Sequence, residues 1–415
     1  MKKIIDFLKN ITIYRNKYHT HSDAIIISCF YNPQDSPYRI TAFNTFYNSI
    51  KHLNHHIIEC VIGDAEPQLE NETSNITRVY TESLLWHKES LLNKIISELP
   101  EKYKYVFWVD ADVIFTNKNW LVDSVEELQT KNIIQPFEYC VHLEKDELKP
   151  SFSMKEILMS SFPNKRNNKV WRSFCSNYAT NELWKDENYN NHGHVGFAWG
   201  AKREVLEEVP LYDKALIGGA DHIIAHASVG QINYCCISKS FTDNIDEINE
   251  WSKKFYKVTN GKVGYVKGEL YHIWHGDIAK RQYFKRVQDF TSKTKAITMR
   301  DNNGLYVTKN KEDEEYMKHY FKQREVPKDD GFLTSMALGY ATDDGLLGGA
   351  LGGNMLGGIV GDMLNDNDSN NHTHTPTPEP DILNGGEFGG GGAEGTWDNN
   401  ESADNTDNTD NNPFS

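Results

Sequence analysis

The sequence predicts an α/β fold built on a mainly parallel, helix-covered sheet. Short β-branched apolar runs alternate with stretches of helical spacing, the runs tend to end in acids, and one of them, VFWVDADVIF at residues 106–115, carries an Asp-x-Asp at its carboxyl end. Residues 24–30 (AIIISCF) form a continuous apolar run, YNPQDSPYR supplies turn chemistry with two prolines, and RITAFNTFYNSIKHL has helical spacing, which together make a β-loop-α unit. HIIECVIGD (56–64) repeats the pattern as a second strand ending in an acid, and NITRVYTES (75–83) reads as a third. In LLWHKESLLNKIISELP the apolar positions Leu84, Leu85, Leu91, Leu92, Ile95, Ile96 and Leu99 predict a helix stopped by Pro100 and feeding the acid-tipped strand. Residues 140–190 are polar and lack a clear period, so they are read as a substrate-facing excursion. Order returns at HVGFAWGAKREVLEEVPLYD, a short strand running into a helix near Lys202, followed by IGGADHIIAHASVG, the apolar NYCCIS and then YHIWHGDIAKRQYFKR.

Composition divides the 415 residues unevenly. No Lys or Arg follows Lys328, whereas 16 acids do, so the net charge of −15 belongs to the tail and the body carries 44 basic against 43 acidic residues. A body that close to neutral argues against a duplex nucleic-acid binder. The expected division is an N-terminal extension at 1–23, a catalytic-type domain at 24–300, a helical extension at 301–330, a Gly-rich apolar segment at 331–364 and a disordered acidic tail at 365–415. The Gly-rich segment has GxxxG spacings, but its uncharged stretch, residues 345–361, is short for a membrane span and has no basic flanks. Self-association or docking on a protein partner is the expectation there, with membrane contact the lesser alternative. The six cysteines contain no CxxC pair and read as reduced, and the basic N-terminus lacks a sustained apolar core, so a cytoplasmic location is expected and Asn71-Glu72-Thr73 is not read as a glycosylation site.

The chemistry centres on VFWVDADVIF. A run as apolar as residues 106–109 must satisfy its backbone inside a sheet, so Asp110 and Asp112 emerge at the carboxyl edge, where open α/β sheets bind ligands. Two carboxylates there repel each other unless a cation lies between them or they share acid and base work; a hard divalent ion bridging carboxylates and phosphates is the usual solution. An Asp-rich turn is the bland alternative.

The opening strand AIIISCFYNP, the Asp-x-Asp of VDADVIF, the segment GFAWGAKREVL…LYDKALIGGADHIIAHA and the late histidines of YHIWHGD together resemble glycosyltransferases of the GT-A fold. The resemblance is nearest to the family 2 and β-1,4-galactosyltransferase-like C-terminal pattern, and it spans residues 24–300. It implies a Rossmann-like mixed sheet and transfer of a sugar from a nucleoside diphosphate sugar, a UDP-sugar being favoured, to a carbohydrate or other hydroxyl acceptor. It also implies help from Mn2+ or Mg2+. By that resemblance Asp112, and with less weight Asp110, bind the metal, Asp110 also contacts the nucleotide sugar, and a late histidine, His275 ahead of His272, completes the ligand set. Asp221, after the paired Gly218 and Gly219, stands where the family's base does, although Ala220-Asp221-His222 departs from the family's aromatic residue followed by adjacent acids. Asp221 as a plain helix N-cap is the structural alternative.

Softer candidates accompany these. Asp64 at the end of the second strand suits a uracil or ribose contact, and Lys88 and Arg39 suit phosphate. Trp199 suits a sugar-stacking floor or the core, and Arg281 and Arg286 suit the diphosphate or an exposed helix face. Two rival functions remain: a non-catalytic, carbohydrate-binding or assembly protein of the same fold, and a phosphohydrolase whose first Asp is a nucleophile. Three strand-like runs preceding the Asp-x-Asp weigh against the phosphohydrolase.

Overall fold

The computed structural model describes residues 18–69, 75–151, 170–180, 185, 192–234, 244–277, 279–282, 285–286, 289–290 and 297–324. The Gly-rich segment, the acidic tail, the Asn71 sequon and most of NYCCIS lie outside the described residues, as do residues 1–17 of the N-terminal extension.

Eleven strands among the described residues form two sheets. β1 (Ala24–Tyr31), β2 (His55–Ile62), β3 (Ile76–Thr81), β4 (Tyr105–Val109), β6 (Ile133–Gln135), β9 (Ala198–Lys202) and β10 (Val263–Tyr265) make a seven-stranded sheet in the order β10-β6-β9-β4-β1-β2-β3. Only β9 runs antiparallel to its neighbours there. β5 (Val113–Phe115), β7 (Tyr139–His142), β8 (Val170–Arg172) and β11 (Glu269–His272) form a smaller sheet in the order β5-β11-β7-β8. The predicted mixed, mainly parallel α/β architecture is therefore present, and the Asp-x-Asp strand β4 is central, between β1 and β9.

Alternation along the central strands explains why helices cover both faces. Ile25 and Ile27 of β1 and Val106 and Trp108 of β4 join one buried cluster; Ala24, Ile26 and Phe30 with Phe107 and Val109 join the other. The first cluster takes in α2 (Lys88–Glu98), α5 (Arg203–Glu208), α6 (Ala220–Ser228), α7 (Ile245–Thr259) and α8 (Lys311–Gln323). The second takes in α1 (Pro37–Ile50) and α3 (Trp120–Glu127), while the short α4 (Phe174–Thr180) follows β8. Burying each large aliphatic or phenyl side chain of this kind contributes roughly 1.5–3 kcal/mol. Phe107 lies directly opposite Gly200 in the β4–β9 register, and a methyl group at Gly200 would collide with its ring, so only glycine fits there.

Two element boundaries differ from expectation for reasons visible in the hydrogen bonding. The helix predicted from Leu84 begins at Lys88, because the Trp86 N–H donates to the Leu216 carbonyl at 2.7 Å and His87 is bonded to the Ser83 carbonyl, which commits residues 83–87 to a turn against the loop before α6. Gly219, with φ 101°, is the N-cap of α6, so Asp221 sits one residue inside the helix and the N-cap alternative for it does not hold. Residues of α8, in the expected helical extension, enter the first cluster through Met317, Tyr320 and Phe321. No helix among the described residues is long and apolar enough to cross a membrane.

Candidate functional site

The Asp-x-Asp turn is pinned by backbone hydrogen bonds on both sides. The Asp110 N–H donates to the Phe197 carbonyl at 2.7 Å, and the Ile273 N–H donates to the Asp112 carbonyl at 2.8 Å. The second bond continues the antiparallel β5–β11 ladder, in which His272 faces Val113. Sheet register therefore carries His272 to Asp112, and the turn through Trp274 returns His275 to the same place.

Asp112, His272 and His275 form a buried cluster whose donor atoms all lie within 4.8 Å of one another. His275 Nε2 is 3.0 Å from Asp112 Oδ2, His272 Nε2 is 3.9 Å from Oδ1, and the two Nε2 atoms are 3.3 Å apart. Arg281 Nη2 donates to His275 Nε2 at 2.9 Å, and Arg39 Nη1 lies 3.4 Å from His275 Nδ1 and 4.0 Å from Asp112. Burial, with Arg281, pushes His275 down to about 3 against the pull of Asp112, which leaves a neutral imidazole whose Nε2 lone pair accepts from Arg281 and is the one a cation would take in its place. Burial alone would raise the Asp112 carboxyl, but the two histidines and Arg39 hold it well below the usual carboxylate range. Asp112 Oδ1 is buried with no hydrogen-bond partner among the described residues. One ionised carboxylate with an orphaned oxygen and two imidazoles, gathered in one place, is a donor set that fits a divalent ion.

Across the cleft, Lys88 at the start of α2 joins the other two acids. Its Nζ lies 2.7 Å from Asp110 Oδ1 and 3.4 Å from both oxygens of Asp221. Burial raises Asp110 to about 6, with Lys88 opposing and Asp112 and Asp221 adding to the rise. Burial likewise raises Asp221 against Lys88, and it raises the neighbouring Glu89, a cleft residue absent from the sequence reading, to about 8. Three carboxyl groups around one ammonium cannot all be charged cheaply in a buried site.

A cleft open to solvent lies between these halves. Its far wall is cationic and aromatic. Arg286 lies over the Trp86 ring, with its guanidinium carbon 5.0 Å from the ring centroid, and donates from Nη1 to the Tyr320 hydroxyl at 2.7 Å. The Tyr320 hydroxyl in turn donates to the Arg281 carbonyl at 3.1 Å. Phe321 meets Tyr31 edge-on at 5.6 Å, and Arg324 also lines the cleft. Gly218, with φ 88°, gives this guanidinium its room, since a Cβ there would come within 2.6 Å of Arg286 Nη2.

The structure thus brings together Arg39, Lys88, Asp110, Asp112, Asp221, His272, His275, Arg281 and Arg286. It leaves Asp64 apart, in the exposed turn after β2 and outside the cleft lining. Trp199 is a core residue: it is buried, stacks on Trp108 at 6.4 Å and donates to the Val195 carbonyl, which excludes a sugar floor. Arg281 and Arg286 are buried, so the exposed-helix alternative fails for both. Sequence reasoning missed Trp86, Glu89, Phe197, Tyr320, Phe321 and Arg324. The apolar spacing Tyr316, Met317, Tyr320, Phe321 was the available signal that α8 packs on the body.

No protein-family model matches the chain, and no curated protein matches it. Solved structures that it resembles include a glucosyl-3-phosphoglycerate synthase from Mycobacterium tuberculosis in complex with Mn2+, UDP-glucose and phosphoglyceric acid. That likeness has 11% identity and a TM-score of 0.30, and covers 71% of this chain and 85% of that one. The same enzyme with Mg2+ and UDP matches at 10% identity and a TM-score of 0.30, over 71% of this chain and 85% of that one. Likeness at that score carries no argument, and the fold stands on its own strand order.

Proposed function

We propose that the chain is a metal-dependent glycosyltransferase of the GT-A type, moving a sugar from a nucleoside diphosphate sugar, UDP-linked by preference, to a hydroxyl acceptor. The observation that carries this reading is the pair of facing half-sites built on one Asp-x-Asp turn. On one side stand Asp112, His272 and His275; on the other stand Asp110, Lys88 and Asp221; and an arginine wall lies alongside.

Asp112, His272 and His275 would hold Mn2+ or Mg2+, which when bound supplies positive charge to the diphosphate leaving group. Arg281, Arg286 and Arg324 bring further fixed positive charge to the same side, suited to phosphate oxygens. As the bond from sugar C1 to the β-phosphate oxygen breaks, its electron pair stays on phosphate. The acceptor oxygen bonds to C1, and its proton passes to a carboxylate. Asp221 is the assigned base: burial raises its affinity for a proton, and Lys88 holds its side chain toward Asp110. Attack assisted by such a base on the face opposite the leaving group inverts the sugar. Tyr31, Trp86 and Phe321 give this cleft an apolar lining beside the charged groups.

Calorimetric titration of UDP, GDP and their sugar conjugates into the full chain with Mn2+, and again with EDTA, tests this reading. Manganese-dependent binding of UDP and a UDP-sugar is expected. A folded protein that binds no nucleotide under either condition rejects the transferase and leaves the non-catalytic protein of the same fold.

A further inference from the structure

A second histidine cluster lies away from the cleft lining. His222 and His226 are four residues apart on α6 and so share one helix face, and His192 comes to them from the chain that leads into β9. All three are fully buried, and their donor atoms lie within 4.8 Å of one another. The His192 ring centroid is 5.3 Å from that of His222 and 5.5 Å from that of His226, at interplanar angles of 90° and 84°. Imidazoles converging on a tetrahedral ion, with metal–nitrogen distances of about 2.0–2.1 Å, put their ring centroids at about this separation and splay their planes in this manner. The surroundings are apolar: Phe174 abuts both His192 and His226, and Ala225, Ala227 and Ile223 belong to the core on the same helix. Neither ring nitrogen of His226 has a hydrogen-bond partner among the described residues. A fully buried imidazole in a hydrocarbon core calls for something to take its lone pair.

We infer that His192, His222 and His226 form a structural site for a zinc-class divalent ion, separate from the cleft. Neutral imidazole is a ligand that suits Zn2+, Co2+, Ni2+ and Cu2+, and with no carboxylate in the trio a hard ion such as Mg2+ is disfavoured. Three imidazoles are one short of the closed four-ligand set usual for structural zinc, so a further ligand such as water would complete the tetrahedron. The ion would tie α6 to the segment entering β9. His222 adjoins Asp221, and Phe197, five residues after His192, lines the cleft, with its ring 4.9 Å from that of His272. The site would therefore brace two walls of the cleft from behind. It does not depend on the transferase reading, since the ligands stand apart from that chemistry.

Metal content and Co2+ spectra of the full-length chain test the inference, with Asp112→Ala used to empty the cleft cluster. After chelation and exposure to one equivalent of Zn2+ and gel filtration, Asp112→Ala should keep about one zinc per chain, as the tetrahedral geometry requires. Co2+ in its place should give intense visible d–d bands. Adding His222→Gln and His226→Gln should remove both the zinc and the bands, and His192→Gln alone should weaken binding, which covers the case in which the double variant does not fold. A folded Asp112→Ala chain that takes up neither ion overturns the site. So does zinc retained at full stoichiometry in the folded histidine variants, which would place it on the tail histidines, His372 and His374.

Discussion

Asp110 and Asp112 leave the same strand end two residues apart, yet they stand in opposite environments. Asp112 faces two histidines, one of them within hydrogen-bond distance, and Arg39 and is held ionised, whereas Asp110 faces the single ammonium of Lys88, shared with Asp221 and with the buried Glu89 nearby, and is raised to about 6. In a continued strand residues 110 and 112 would share a face, but β4 ends at Val109 and the turn that follows breaks the alternation, so one motif feeds two half-sites. Partners, more than chemical identity, assign the roles: one carboxylate suits a permanent cation, and the other belongs to a proton-sharing group.

The largest effect that can break this comparison is expected from Asp112→Ala. Losing the only acid of the histidine half should abolish Mn2+-dependent nucleotide binding in calorimetry and lower sugar transfer by at least about 10³-fold, in line with the several kcal/mol that a catalytic cation supplies. The melting temperature should change little; nucleotide affinity that survives the substitution would mean that the acid is structural. Asp221→Asn, in the other half, should separate the two functions: donor binding stays within a few-fold of wild type while turnover falls by about 100-fold or more, the low end of general-base catalysis. A parallel loss of binding and turnover would place Asp221 in the donor site instead.

The smallest of the three effects is a pH dependence, and it sharpens the contrast. An acid whose value in the fold is raised is protonated below that value, so Asp110, at about 6, takes up a proton as pH falls through 6. Donor binding that needs the ionised form should be flat above pH 6 and weaken by up to tenfold per unit below it, the limit for one competing proton. Asp112, held below the usual range, adds no step in that window. Asp110→Asn should remove the step, and a step that persists in that variant would assign it to another group.

How far the sequence reached depended on how local the signal was. β1, β2 and β4 were legible as apolar runs because both of their faces are buried, and the partly exposed edge strand β3 by its β-branched and aromatic residues. β6, β8 and β10 were not, since three residues are too few to show a period, and their place in a sheet comes from pairing with distant partners. α7, which alternates charge with a buried face of Ile248, Ser252, Phe255 and Thr259 that is only half apolar, also escaped the reading. In the cleft, Asp110 and Asp112 were nominated from motif chemistry and His272 and His275 from the resemblance; the apolar spacing of α8 signalled a packed helix, but nothing local to Arg281 or Arg286 announced that they would wall the site with it.

By itself the sequence determined which residue types were available and the strand end from which they emerge: two acids after an apolar run, two histidines around a tryptophan, and an acid after paired glycines. Only the tertiary structure decided which of them meet. The β5–β11 register brought His272 to Asp112, the turn at Gly218 and Gly219 swung Asp221 toward Lys88, and the packing of α8 turned Arg286 inward. Local propensity is short-ranged, whereas contacts across more than a hundred residues depend on which apolar faces bury one another.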